Sequence, residues 1–352
     1  MKICFVTPTL GKGGLERVVS VLSDNMVDIG HQVDIITLTS DIVEYNINIK
    51  IGIHHLNEEF RYRHCGRQLL LWDLSNRLHR ISPDVVLSFS ETFNPLAIIA
   101  AKLNKQPVFA FDRSSPVLKR SMRDNILRSL TYRKAEAVVV QTQYAKKIYD
   151  AERANKHILV LANPLITFCH SKINSSPKRI ITTGRLIPSK NQKELIEIFD
   201  EINMPEWELY IAGDGPERHN LQKYISKLKT KDRICLMGRV DDIESAFREA
   251  SIFAYTSLSE GFPNAVSEAL AFPLATIAYD CVAGVSEIIQ DNRNGYLVAI
   301  NDKHSFTERL RELMAHEDHR YKLMNESIKN RSKYDSKAIT QKLISYILQY
   351  GK

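Results

Sequence analysis

The residues best equipped for chemistry are two acids and two bases. The acids, Glu260 and Glu268, lie in the stretch Thr256-Ser-Leu-Ser-Glu260-Gly-Phe-Pro-Asn264-Ala-Val-Ser-Glu268. The run before it, Ser251-Ile-Phe-Ala-Tyr255, has strand length and β-type composition. Ala265 to Ala271 after it reads as a helix, with Asn264 as N-cap and Pro263 just outside. One carboxylate is therefore expected on a strand-to-helix loop and the other just past the first helical turn. Between them lie the amides of Ala265 and Val266, which a helix start leaves unpaired and which suit a phosphate oxygen. Such an arrangement can grip a phosphorylated sugar. The other reading makes Glu260 a solvated loop acid and Glu268 a complement to the helix dipole. The bases, Arg185 and Lys190, share the post-strand loop Gly184-Arg-Leu-Ile-Pro188-Ser-Lys190-Asn. At an effective dielectric near 20, a cation about 4 Å from a phosphate oxygen contributes about 4 kcal/mol, against ~1 in bulk water. A helix start is a poor place for cations on dipole grounds alone, which favours a functional reason for the pair.

These groups need strands and helices to hold them. Lys2 to Thr7 is a buried-type strand, followed by the turn Gly11-Lys-Gly13-Gly14-Leu-Glu16 and a helix from Glu16 to Ile29 with Val18, Val19, Leu22 and Met26 on one face. Strand, glycine turn and helix form a phosphate-cradling unit. The glycines miss the G-x-G-x-x-G spacing, and Asp41 is loosely placed for the ribose acid of a dinucleotide site, so NAD binding is set aside. Further strands are expected at Val33–Leu38, Lys50–His55, Asp84–Ser90, Pro107–Phe111 and Ala137–Gln141, with helices between, which is a doubly wound α/β domain. Asn163-Pro164 closes it, and the polar segment His170 to Lys178 reads as a linker. A second α/β series follows: strands at Arg179–Thr183, Glu208–Ala212, Ile234–Met237, Ile252–Tyr255, Ala275–Ala278 and Tyr296–Val298, with a helix at Gln192–Ile202. Ser336 to Tyr350 has helical apolar spacing and packs back on one domain.

Length and composition agree. A chain of 352 residues suits two domains. Met1 to Leu10 is short and polar for a signal peptide, and no apolar run approaches the ~18 residues of a membrane span. The five cysteines, Cys4, Cys65, Cys169, Cys235 and Cys281, form no C-x-x-C pair, which speaks against a disulfide framework or zinc site and fits a reducing cytoplasm. The net charge of +7 is concentrated in the first half, where residues 1–165 hold 22 Lys and Arg against 16 Asp and Glu. A basic surface of this kind suits an anionic partner such as phospholipid headgroups, a lipid diphosphate or nucleic acid. No aromatic–basic stacking pattern supports nucleic acid.

Taken together, the motifs G-x-G-G-x-E, G-R-x-x-x-x-K (Gly184 to Lys190), A-G-D-G-P (Ala212 to Pro216), G-R-V (Gly238 to Val240) and E-G-F-P-N-x-x-x-E (Glu260 to Glu268) stand in one order along the chain. This order resembles the retaining GT-B glycosyltransferases of the family-4 type, including their bacterial surface-polysaccharide and O-antigen members. Ala283-Gly284-Val285-Ser-Glu287 and Asn294-Gly295-Tyr-Leu-Val are similar to that family's closing motifs. The resemblance implies an α/β GT-B fold, two Rossmann-like domains facing each other across a cleft. It divides the chain into an acceptor domain, residues 1–165 with the C-terminal helix 336–352 crossing back to it, and a donor-nucleotide domain, residues 166–335. It also assigns roles. Gly13 and Gly14 would bring amides to the donor's β-phosphate, and Arg185 and Lys190 would hold the departing diphosphate. Glu260 and the backbone from Gly261 through Phe262 and Pro263 to Asn264 would serve the sugar, Ala265 and Val266 the phosphate, and Glu268 the ribose. Val240 would read the base beside Gly215 and Pro216. No cofactor or metal is implied, and the sequence has no D-x-D pair.

One departure stands out. Where many members carry a histidine near the transferring sugar, this chain has Phe111-Asp112-Arg113-Ser114. Arginine stays protonated and cannot act as a general base, which favours a leaving phosphate oxygen that itself takes the acceptor's proton. Asp112 as base and Arg113 as phosphate clamp stay open, as does a surface ion pair between them. The expected activity is a metal-independent, retaining transfer of a hexose or N-acetylhexosamine. The donor is a UDP-sugar, with GDP-mannose as the alternative, and the acceptor a glycan or polyprenyl-diphosphate-linked saccharide. A sugar-nucleotide epimerase on the same fold is the rival. The basic, amphipathic tract Arg113, Lys119, Arg120, Arg123, Arg128, Arg133, Lys134, with Leu118, Met122, Ile126, Leu127 and Leu130, suggests a cytoplasmic protein peripheral on the inner face of an anionic membrane. Packing of those apolar residues into the first domain is the alternative.

Overall fold

Runs such as Ile3-Cys-Phe-Val and Val85-Val-Leu-Ser-Phe89 leave no polar side, as expected of parallel strands covered by helices on both faces. In the structure, a computed structural model that describes residues 1–11, 13–56, 59–116, 121–165, 177–282 and 284–351, with side chains described except at 59–65, 330 and 331, they form two such sheets. The chain divides into two compact units, Met1–Pro164 with Tyr334–Lys352, and Leu165–Lys333.

The first unit runs β1 (Lys2–Thr7), α1 (Gly14–Asp28), β2 (Gln32–Thr37), β3 (Gly52–His55), α2 (Glu59–Ile81), β4 (Val85–Phe89), α3 (Asn94–Leu103), β5 (Val108–Phe111), α4 (Met122–Tyr132), β6 (Ala137–Val140), α5 (Gln143–Ala151) and β7 (Ile158–Val160). Its sheet order is β3-β2-β1-β4-β5-β6-β7 with every described pairing parallel. One core fills each face. Cys4, Val86, Leu74 and Tyr132 belong to one, and Phe5, Phe89, Phe109 and Phe111 to the other.

The second unit runs β8 (Arg179–Thr183), α6 (Gln192–Ile202), β9 (Glu208–Ala212), α7 (Arg218–Ile225), β10 (Ile234–Gly238), α8 (Ile243–Arg248), β11 (Ile252–Tyr255), α9 (Asn264–Ala271), β12 (Ala275–Tyr279), α10 (Val285–Ile288), β13 (Tyr296–Val298), α11 (Lys303–Ala315) and α12 (Glu317–Asn330). Its parallel sheet is ordered β10-β9-β8-β11-β12-β13. The chain then returns to the first unit as α13 (Ser336–Tyr350), capped by Asp335, whose carboxylate accepts from the Ala338 amide at 2.9 Å.

Most expected strands match to within a residue or two, the usual uncertainty of an element's end. Three expectations are corrected. The three-residue β7 escapes a reading based on longer apolar runs. Asn264 is the first residue of α9 and not its cap; Pro263 takes that place, without a side-chain cap. The basic tract is not one continuous face, because α4 spans only Met122–Tyr132 and Arg128 turns inward, ion-paired with Glu152 at 2.5 Å and set over the Tyr149 ring. Leu118, Lys119, Arg120, Ala283 and residues 170–176 of the expected linker lie outside the described residues.

Candidate active site

In an open parallel sheet, ligands bind beyond the C-terminal strand ends where the strand order reverses. In the second unit that point lies between β8 and β11, and the loops leaving these two strands carry Arg185 with Lys190, and Glu260. The β8 loop makes a 3-10 turn at Pro188–Lys190, and Asn191 then takes a left-handed conformation (φ 53°) before α6 begins. The two loops are tied together: the Leu258 amide donates to the Ser189 carbonyl at 2.8 Å, and Thr256 Oγ1 to the Asn191 carbonyl at 2.9 Å.

Those ties bring Lys190 to Glu260. The Lys190 ammonium donates to Glu260 Oε1 and to the Tyr255 hydroxyl at 2.8 Å. Tyr255 in turn donates to the same Oε1 at 2.6 Å, and Ser257 Oγ donates to it as well. One carboxylate oxygen thus collects three donors, while Oε2 takes no part in these bonds. An ammonium has three N–H groups. Two are committed here, so Lys190 keeps one for a ligand. Burial, and next the Glu260 charge, push the Tyr255 phenol well above its ordinary pKa, so it stays a donor. The same causes push the buried Cys281 thiol up to about 12. Arg185 is exposed on the same loop, where its carbonyl accepts from Gln192 Nε2 at 3.1 Å.

The glycines of the neighbouring turns are there for close approach. A Cβ on Gly213 would lie 1.9 Å from the Gly184 carbonyl oxygen, and one on Gly215 would lie 2.4 Å from that of Leu186. The turn after β9 can therefore lie directly on the β8 loop, bonded to it from the Leu186 amide to the Asp214 carbonyl at 2.9 Å. Pro216 follows Gly215 in this turn, and Val240 borders a groove of about 270 Å3 with Tyr210, Met237 and Ala246. Beyond Glu260, Gly261 leads to buried Phe262 and Pro263, and the Asn264 amide is already bonded to the Phe262 carbonyl at 2.9 Å. Ala265 and Val266 open α9, and Glu268 is buried one turn later.

The expected residues of the first unit occupy two places. After β1, Gly13 and Gly14 lead into α1. The Gly13 amide donates to the Tyr45 hydroxyl at 3.3 Å, and that hydroxyl donates back to the Gly13 carbonyl at 2.9 Å. After β5, Asp112 is buried. Its Oδ2 accepts from the phenols of Tyr132 (3.0 Å) and Tyr149, and its Oδ1 from Ser114 Oγ at 2.7 Å. Arg113 donates from Nη1 to Asn163 Oδ1 and lies over the rings of Phe111 and Phe89, 5.2 and 5.8 Å from their centroids. Burial pushes its guanidinium down to about 9, opposed by the Asp112 charge. The partners Tyr255, Ser257, Tyr132, Tyr149 and Asn163 carry no motif signal. Only the placement of Tyr255 at a strand end, just before the loop acid, could have drawn attention to it. Among the described residues no cluster of His, Cys, Asp and Glu could hold a metal ion, and no helix is long and apolar enough to cross a membrane.

Two doubly wound parallel sheets of this order, with the motif loops at a strand-order reversal, are the two Rossmann-like units of the GT-B fold. Family models agree over both units: "Glycosyltransferase Family 4" matches residues 12–175 and "Glycosyl transferases group 1" matches residues 168–331. The chain is 28% identical to a Campylobacter jejuni alpha-1,4-N-acetyl-D-galactosaminyltransferase that acts on a diphospho-undecaprenol-linked saccharide, over 92% of each chain. It is 28% identical to the amylovoran biosynthesis glycosyltransferase AmsD of Erwinia amylovora, over 94% of each. HepE of Anabaena, solved with UDP and glucose, superposes with a TM-score of 0.84 at 16% identity, covering 99% of this chain and 100% of that one. The first unit belongs to glycosyltransferase family 4 and the second to the group-1 glycosyl transferases, which makes the chain a glycosyltransferase similar along its length to these bacterial enzymes.

Proposed function

We propose that this protein transfers a hexose or N-acetylhexosamine from a UDP-sugar, with retention and without a metal, to a polyprenyl-diphosphate-linked saccharide. The observation that carries the reading is the Lys190–Tyr255–Glu260 cluster at the strand-order reversal of the second unit. Lys190, with Arg185 beside it, supplies positive charge where a leaving diphosphate gathers negative charge. A preset cation of this kind stabilises the transition state without having to reorganise. Glu260 Oε2 and the amides of Gly261 and Phe262 serve the sugar, the amides of Ala265 and Val266 a phosphate oxygen, and Glu268 the ribose. Val240, Gly215 and Pro216 form the base-reading edge. Asp112, which already satisfies two phenols and Ser114, acts in this reading by fixing the β5 loop, and the proton goes to the leaving phosphate. UDP is favoured by the UDP seen in HepE, and the lipid-linked acceptor by the Campylobacter relative.

A membrane-borne acceptor also gives a use to α4. Met122, Ile126 and Leu130 stand exposed along one side of the helix, with exposed Arg123, Arg133 and Lys134 at its flanks. Apolar residues bordered by bases fit an anionic lipid surface.

Donor binding is tested by thermal shift over UDP, GDP and their sugars, because a ligand that prefers the native state raises the melting midpoint. UDP and one UDP-sugar are expected to raise it most, whereas a GDP-specific shift sinks the UDP assignment. Lys190→Ala and Arg185→Ala should each cost about 2–4 kcal/mol of barrier, roughly 10²–10³-fold in transfer rate. Transfer at the wild-type rate by both variants removes these cations from the chemistry.

A further inference from the structure

The first unit carries an unfilled arginine fork that the roles above do not use. Arg113 is fixed on three sides. Nη1 is tied to Asn163 Oδ1, which also accepts from Gln141 Nε2 at 3.0 Å, and the guanidinium plane lies over Phe111 and Phe89, both fully buried. Its remaining donors, Nε and Nη2, are buried without any hydrogen-bond partner among the described residues. These two nitrogens form one edge of the guanidinium, whose N–H bonds run parallel and match the two oxygens of a carboxylate or phosphate. The nearest acid in sequence, Asp112, is spent on Tyr132, Tyr149 and Ser114. A buried cation with an empty fork is costly to keep, and buried donors left unmade call for an explanation. Ser115 Oγ and Gln141 Oε1 are likewise buried and unpartnered. All of these residues follow the C-terminal ends of β5, β6 and β7, the sheet edge where doubly wound folds take ligands.

We propose that Arg113, anchored by Asn163 and stacked on Phe111, is an oxyanion site that takes one phosphate or carboxylate group of the acceptor through a two-pronged contact. Assigning that anion to the acceptor rests on the transferase reading above; the site itself does not. The phosphate source would be the lipid-linked end of the acceptor, the carboxylate source an acidic sugar within it.

Calorimetric titration of the full chain, with UDP present at saturation, separates these. The probes are methyl phosphate, methyl α-glucuronate and, as the neutral control, methyl α-glucoside. At least one anion should bind tenfold or more tightly than the glucoside, and which one binds names the source. Arg113→Met should abolish the preference while the melting midpoint holds or rises, since it removes an unpaired buried cation. Arg113→Lys, which keeps charge but lacks the fork, should lose about tenfold. Asn163→Asp serves if Arg113→Met does not fold, because a carboxylate against Nη1 would neutralise the guanidinium charge that attracts the anion and cost a similar factor. Anions that bind no better than the glucoside overturn the site, and so does a preference that survives either Arg113→Met or Asn163→Asp. If UDP itself gives no thermal shift, the nucleotide reading fails separately, and the same titration without UDP still judges the fork.

Discussion

Tyr255 carries more of the second unit's site than its place in a strand suggests. Its hydroxyl accepts from Lys190 and donates to Glu260, so it sets the angle at which the ammonium's last N–H leaves the cluster. Near-attack geometry is sensitive to such angles. Tyr255→Phe is therefore expected to lower kcat about tenfold with KM for the donor changed less than threefold, since the charges of Lys190 and Glu260 stay in place. Equal loss in both constants, or no loss, removes Tyr255 from a positioning role. The phenol also leaves a pH signature. Its folded pKa lies well above the unfolded value of 10.0, so the folded state holds a proton that the unfolded state releases. Stability from this group is complete below pH 10 and falls as pH rises through that value. The melting midpoint of Tyr255→Phe should decline less steeply than wild type from pH 9.5 to 11.

At the scale of elements, what could be read from the chain was what local pattern encodes. Arg179–Thr183, Gln192–Ile202, Glu208–Ala212 and Ser336–Tyr350 stand where their apolar spacing and flanking turns put them, because burial period and turn chemistry are properties of neighbours in sequence. The motif loops were legible for the same reason: Gly213 and Gly215 are required where backbones nearly touch. Partners brought together by pairing order were not legible. Nothing near Arg113 in sequence announces Asn163, and nothing near Asp112 announces Tyr149. The inward turn of Arg128 on α4 was hidden in the same way, since helical spacing alone cannot show that it faces Tyr149 and Glu152. What remains outward is a narrower surface, and it can be tested. Vesicles with anionic phospholipid should sediment the protein at low salt. Met122→Ser with Ile126→Ser and Leu130→Ser should reduce the bound fraction at least fivefold, and replacing Arg123, Arg133 and Lys134 by Gln should do so only at low ionic strength. Wild-type sedimentation no greater with anionic than with neutral vesicles rules out this surface.

At the scale of the molecule, the first unit is not complete until the last helix is in place. α13 buries Ile339, Leu343 and Ile347 in the core that also holds Phe5, Phe109 and Leu159. Asn25 Nδ2 donates to Thr340 Oγ1 at 3.2 Å, and the Tyr350 ring lies 4.5 Å from that of His157. Three buried aliphatic side chains at about 1.5–3 kcal/mol each amount to a large part of the roughly 5–15 kcal/mol that keeps a domain folded. A sheet that relies on the far end of the chain cannot finish folding during synthesis until that end has appeared, whereas the second unit, Leu165–Lys333, has its own core from Ile180 to Met324. Truncation after Tyr334 should therefore remove or sharply lower the first unit's melting transition while UDP continues to raise the midpoint of the transition that survives. Supplying a peptide of residues 335–352 in excess should restore the lost transition in proportion to its concentration. A truncated protein that melts as the full chain does would show that α13 only decorates this core, and a loss of the proposed UDP shift along with the first transition would show that this shift depends on the first unit.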